Sequence, residues 1–291
     1  MNVIFDTNAV YYLESKLSNE NFEKMNQMVE KNELTIFISP ITVIEMTSRL
    51  KTQPNGFKKV QIALKKLMSL NPQFLPDPDQ QLREYVSNSK SNKNDYKHWK
   101  EIVSSIILAP NVTKLESGFC DSLSNRRVVN IDYLINFRKE YEEYYLSSIN
   151  QVLEQIITDY NVKIDKGRNT RLPKDKISNF KKYLTSSDWI DQIKIMLVNR
   201  TEVQLPNNEV EIQIIFEKIY FLKKSYEDLF LKIFEEGYIP NKKKKNDYND
   251  WHFNVYFNDF NDYIFITSEN NVVFKELRSK NRCINFEELI K

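Results

Sequence analysis

The chain has 291 residues, with 42 Lys and Arg against 40 Asp and Glu and a hydrophobic share of 41%. That supplies one large domain or two modest ones with a core that needs no staples, and it excludes disorder by composition. The net charge of +2 neither demands nor excludes nucleic acid, so any attraction for it must come from local patches.

Four glycines and the absence of the G-x-x-x-x-G-K-[ST] and G-x-G-x-x-G patterns argue against a glycine-rich phosphate loop. Cys120 and Cys283 lie far apart and make neither a metal-ligand spacing nor a disulfide framework. This fits a reducing compartment, and the expected location is cytoplasmic. The N-terminus lacks a basic region followed by a long apolar segment, so no signal peptide is expected. No apolar run is long enough to span a bilayer, so no membrane partner is expected.

The chain opens on Val3-Ile4-Phe5, a short apolar run that stops at Asp6-Thr7-Asn8. Continuous apolar residues suit a parallel strand buried on both faces, and the Asp then stands at its C-terminal end, where open α/β sheets bind ligands. Thr7 and Asn8 are suited to cap the helix that follows and to hold Asp6. The plainer reading makes Asp6 only a turn or cap residue.

Asn19 to Lys31 reads as a helix, Leu34 to Ile38 as a second strand, and Ser39-Pro40 as the start of a helix reaching about Lys51. That helix carries Glu45 among Val43, Ile44 and Met46, where a carboxylate needs either a partner or the solvent face. Phe57 to Leu70 is an amphipathic helix. Asn71 to Asp79, with three prolines, reads as loop. Gln80 to Ser91 and His98 to Leu108 follow as helices, with His98 a structural or surface residue. From Ile131 to Glu236 helix dominates, in three long pieces: Ile131 to Tyr160, Lys176 to Asn199 and Glu209 to Glu236.

The α/β pattern then returns. A basic run, Lys242 to Lys245, leads into a helix that begins near Asn246 and reaches about Phe257. Tyr263 to Ile266 is a strand that ends in Thr267-Ser268-Glu269-Asn270, Val272 to Arg278 a short helix, and Cys283 to Asn285 a last strand. Acidic residues therefore recur at strand ends and helix starts: Asp6, Glu45, Asp247 with Asp250, and Glu269. Carboxylates gathered at one sheet edge repel one another unless a cation binds, and hard ions such as Mg²⁺ take oxygen ligands. Such an ion can generate a hydroxide nucleophile and stabilise the leaving oxygen of a phosphodiester.

Asp6-Thr7-Asn8, Glu45 after Ser39-Pro40, Asn246-Asp247 with Asp250, and Phe265-Ile266-Thr267-Ser268-Glu269 together resemble the PIN domain family of metal-dependent nucleases. The resemblance covers about residues 1–70 and 238–291. It implies an α/β fold with a central parallel sheet flanked by helices; the mostly α-helical middle, 71–237, is then an insertion or an extended helical section, expected to pack on the core because its apolar faces are too many to stay exposed. It also implies an endoribonuclease using Mg²⁺ or Mn²⁺. Asp6, Glu45 and Asp247 match the family's first three acidic positions, with Asp250 the alternative third. Asp6, Glu45, Asp247 and Asp250 are the expected catalytic residues, and these four with Glu269 the expected metal ligands. Glu269 departs from the family's usual Asp and is expected to act through water.

Asn8, Lys244 and Lys245 are the candidate substrate contacts, the lysines through phosphates. The plainer reading of the basic run, a solvated loop, is the one its composition favours, since exposed charge runs are common. Tyr248 and Trp251 are suited either to base stacking or to the core, and His252 either to packing or to the site. RNA is the expected partner; the sequence names no protein partner and no oligomeric state. The competing reading is a PIN-like module without activity, used for RNA binding or complex assembly. A haloacid-dehalogenase phosphatase would need a second Asp two positions after Asp6, and Asn8 stands there.

Overall fold

A computed structural model describes residues 1–88, 97–116, 131–159, 171–237 and 250–290. Tyr160, Asn246, Asp247, Tyr248, Lys244 and Lys245 lie outside the described residues, as do the rest of the basic run and Cys120. Most of the expected polar loop at 165–173 lies outside them as well.

The elements in chain order are β1 (Asn2–Phe5), α1 (Thr7–Ser15), α2 (Asn19–Glu30), β2 (Thr35–Ile38), α3 (Pro40–Thr52), α4 (Gly56–Ser69), β3 (Gln73–Phe74) and α5 (Pro78–Ser87). They continue with α6 (Lys97–Leu108), α7 (Ile131–Asp159), α8 (Lys174–Tyr183), α9 (Ser187–Thr201), α10 (Glu209–Lys218) and α11 (Tyr220–Glu236). β4 (Tyr263–Ile266), α12 (Lys275–Ser279), β5 (Cys283–Ile284) and α13 (Phe286–Leu289) close the chain, with 3₁₀ turns at Phe253–Tyr256 and Val272–Phe274. The protein is mostly helical, built around a small parallel sheet of order β3-β2-β1-β4-β5.

β1 is the central strand, with Val3, Ile4 and Phe5 wholly buried. Its register sets Phe5 beside Ile38 of β2 and Ile266 of β4. Side chains alternate across the sheet. Val3, Phe5, Ile36, Ile38 and Ile266 face one apolar cluster, built with α1, α2, α3, α4 and α6. Ile4, Phe37 and Phe265 face the other, built with α5, α8, α9, α10, α11 and both 3₁₀ turns. Helices α5 and α8 to α11 of the middle of the chain thus share one face of the sheet with the two 3₁₀ turns.

Several local expectations are corrected. The stretch expected to be loop at 71–79 contains β3, which pairs through Gln73 and Phe74 with Phe37 and Ile38. Its prolines fall outside the paired dipeptide, so they remove no ladder donor. The expected helix 176–199 is two helices, because Ser186 caps α9 by accepting a hydrogen bond from the Trp189 amide. The expected helix 209–236 breaks at Ile219, whose backbone leaves helical geometry (φ −105°, ψ 17°). The break lets Ile219, Phe221 and Leu222 all reach the core, which no single straight stripe permits. The helix expected to run to Phe257 becomes a 3₁₀ turn from Phe253, and Val272 to Phe274 is likewise 3₁₀.

Gly56 shows why one glycine is needed. A Cβ there would lie 2.1 Å from the Arg49 carbonyl oxygen, so only glycine lets α4 start against the end of α3.

Candidate active site

β2, β1 and β4 lie side by side, and each delivers a carboxylate beyond its C-terminal end. Asp6 follows β1 directly. It is the N-cap of α1, and its Oδ1 accepts from the Ala9 amide at 2.6 Å. The plain cap reading is therefore correct as geometry, and Thr7 and Asn8 are not the cap. The Thr267 hydroxyl, from the end of β4, donates to the other oxygen, Oδ2. With only 6% of its surface exposed, Asp6 is pushed up to about 7 by loss of water, against the pull of these two hydrogen bonds, and nearby Glu269 and Glu45 raise it further.

Glu45 owes its place to α3. Ser39 caps that helix and Pro40 opens it. Thr42 ties its first turn to β1 by donating to the Phe5 carbonyl at 3.0 Å. One turn on, Glu45 points inward: its side chain is 12% exposed and its Oε2 accepts from the Thr7 hydroxyl. The solvent-face alternative is therefore incorrect. Burial raises its carboxyl, while Thr7, Arg138 and Arg49 lower it.

Asp250 and Glu269 complete the group. Asp250 is buried and accepts from Asn271 Nδ2 at 2.9 Å. Its carboxyl is raised well above the ordinary range by burial first, then by Glu269, with which it shares a side-chain hydrogen bond, and by Glu45. Glu269 also accepts from Asn8 Nδ2 at 2.6 Å, so Asn8 bridges the end of β1 to the loop after β4. Arg278 clamps that loop by donating to the Glu269 and Asn271 carbonyls.

Asp6, Glu45, Asp250 and Glu269 thus act on one another from four separate stretches of chain. Asp247, Lys244 and Lys245 lie outside the described residues. The oxygen-only, anionic donor set suits a hard divalent cation in its chemistry. Its present arrangement is not a finished metal cage: among the described residues, no group of three or more His, Cys, Asp or Glu side chains is placed to hold a metal ion. The Thr7 and Thr267 hydroxyls and the Asp250–Glu269 hydrogen bond take up carboxylate oxygens instead.

No protein-family model matches the chain, and no curated protein or solved structure matches it.

His252 and Trp251 belong to the core. His252 is buried, its Nδ1 lies 3.1 Å from Arg200 Nη2, and burial and that guanidinium lower its basicity. Arg200 in turn holds Asp79 through Nε at 3.0 Å. Trp251 packs edge-on against Tyr226. His98 is half-buried against Trp99.

Sequence reasoning missed Arg138, Thr267, Asn271 and Arg278. Thr267 had a signal, a hydroxyl at a strand's C-terminal end. Arg138 had none. It sits in the long helix α7, 90 positions from Ser48, to which it donates at 2.7 Å.

No described helix is long and apolar enough to cross a membrane.

Proposed function

We propose that this chain is a divalent-metal-dependent nuclease of the PIN type, with RNA as its substrate. One observation carries the reading. Carboxylates from four stretches of chain meet beyond the C-terminal ends of adjacent parallel strands, in a buried setting that raises three of them. A fold gains no stability from gathering buried like charges, so such a group is a functional-site candidate. Asp6, Glu45 and Asp250, with Glu269 beside them, would hold Mg²⁺ or Mn²⁺. A cation so held supplies a water of lowered pKa and a counter-charge for the phosphate.

The chain's own residues do the rest. Thr7 and Thr267 fix the rotamers of Glu45 and Asp6. Asn8 holds Glu269. Burial raises the Asp6 carboxyl, and a cation bound beside it would favour the ionised form that a ligand needs.

The test is incubation of mixed single-stranded and structured RNAs with wild type and Asp6→Asn, in Mn²⁺, in Mg²⁺ and in EDTA. Internal cleavage by wild type with metal, lost in EDTA and in the variant, is expected. Cleavage that survives Asp6→Asn sinks the assignment.

A second reading, a PIN-like module without activity that binds RNA or assembles with a partner, draws on one observation. The described carboxylates satisfy one another and nearby hydroxyls rather than forming a metal cage. RNA binding without cleavage in any metal would favour it.

A further inference from the structure

The end of the sheet opposite the carboxylates carries a protruding ring and a groove. Phe260 lies in the turn that leads into β4 and is 65% exposed. The turn beneath it is held firmly. The Phe260 amide donates to Asn258 Oδ1 at 2.9 Å, and buried Asn258 donates in turn to the Tyr85 hydroxyl. Asn261 donates to the Tyr256 carbonyl, while Arg282 donates to Asn261 Oδ1 at 2.8 Å and to the Tyr263 carbonyl at 2.5 Å. Asp259 and Asp262, both exposed, flank the ring. A hydrogen bond from Asn2 holds the Asp262 carboxyl below its ordinary range, so it stays charged.

The groove, of about 460 Å³, lies between α2 and α13, with Met28, Leu34 and Leu289 among its apolar lining. Lys24, Met28 and Lys31 follow one another at helical spacing along α2 and its C-cap, so the two lysines stand on either side of Met28 on one stripe. Glu33 lines the groove as well, which leaves the lysines in excess. Leu34 directly precedes Thr35 of β2, Thr35 pairs with Asn2, and Asn2 pairs with Tyr263 of β4. Groove and turn are therefore two strand spacings apart at one end of the sheet, roughly 10 Å.

We propose that this end of the sheet is a self-complementary interface, at which the Phe260 turn of one copy of the chain seats in the α2 groove of a second copy. The charges fit this occupant: two lysines at the groove meet two aspartates beside the ring. An aromatic side chain on a turn already held in place brings a large apolar area at little cost in entropy. One turn in one groove covers too little surface for a stable pair. A two-fold axis between them seats both turns at once, doubles the buried area and closes the assembly. The carboxylates lie at the other end of the strands, so the inference goes beyond the nuclease reading and does not depend on it.

The test is sedimentation equilibrium of the full chain from about 1 to 100 μM, a range in which a pair of modest affinity forms. The mass is expected to rise from 34.8 kDa towards twice that value and no further. Phe260→Ser, Asp259→Lys and the double change Lys24→Glu with Lys31→Glu are each expected to weaken the pair about tenfold or more. All four side chains are exposed, so the variants are expected to fold, and circular dichroism checks that they do. The decisive arm mixes the Asp259→Lys protein with the doubly changed protein. In either protein alone both contacts join like charges; in the mixture both join opposite charges, and pairing is expected to return. A chain that stays monomeric throughout leaves the groove to a foreign partner and overturns the inference, as does a pair that ignores all three changes. Mass that climbs past two copies overturns the closed two-fold, and pairing that does not return in the mixture overturns the charge-matched seating.

Discussion

Thr267 and Asp6 stand 261 positions apart, and the Thr267 hydroxyl donates to Asp6 Oδ2 across the join between β4 and β1. That bond supplies one of the two hydrogen bonds that hold a buried carboxylate against its loss of water. We expect Thr267→Val to cost about 1–3 kcal/mol at pH 8, where Asp6 is ionised and its acceptor would be left unsatisfied. The cost should be smaller at pH 5, and Thr267→Ser should restore most of it. Urea denaturation of the three proteins at both pH values checks this; equal cost at the two would contradict it.

Asp6 also sets the direction of the pH dependence. Its carboxyl is held at about 7 in the folded chain against an ordinary 3.8. Between these values the native state binds the extra proton, so stability is full below about 4 and falls as pH rises through 7. The shifts at Glu45 and Asp250 are in the same direction and add to the fall. Once Asp6 is fully ionised, the penalty is at most on the order of 4 kcal/mol. Asp6→Asn keeps an oxygen for the Ala9 amide and removes the charge. We expect it to raise stability at pH 8 and flatten the profile between pH 5 and 8 in EDTA. Parallel profiles for the two proteins would refute the assignment.

The carboxylates should divide their work unequally. In single-turnover RNA cleavage at saturating Mn²⁺, we expect Asp247→Asn to lose nearly all activity, Asp250→Asn to lose much and Glu269→Gln to lose least. Glu269 already meets Asn8 and Asp250, and a Gln amide keeps hydrogen bonds to both. Direct ligands place the nucleophile, whereas an outer group tunes water. A near-wild-type rate for Asp247→Asn with Glu269→Gln the most damaged reverses the order and sinks it.

Phe265 joins the sheet to the helices of its second face. It is fully buried, with its ring 4.8 Å from those of both Phe253 and Phe274. Phe265→Ala should cost roughly 3–5 kcal/mol by cavity formation. Because the middle helices share that face, tryptophan fluorescence from Trp189 and Trp251 should report the same denaturant midpoint as circular dichroism. Separate midpoints would show that the two parts unfold independently.

Local features of the chain determined much of what is seen. The apolar runs of β1, β2 and β4 and the polar residues that end them are short-range signals, because strand and cap chemistry is set by neighbours a few positions away. The Ser39-Pro40 start of α3 belongs to the same class, whereas the choice between a partner and the solvent face for Glu45 was settled only by its contact with Thr7. What only the tertiary structure decided is long-range. β3 forms because Gln73 and Phe74 find an edge at Phe37 and Ile38. The breaks at Ser186 and Ile219 arise because packing against the sheet demands more buried residues than one straight stripe offers. Thr7 meets Glu45, Asn8 meets Glu269 and Arg138 meets Ser48 only once strand order and helix packing bring them together. No pattern of neighbouring residues encodes such pairs, since their energy depends on which surfaces the whole chain brings into contact.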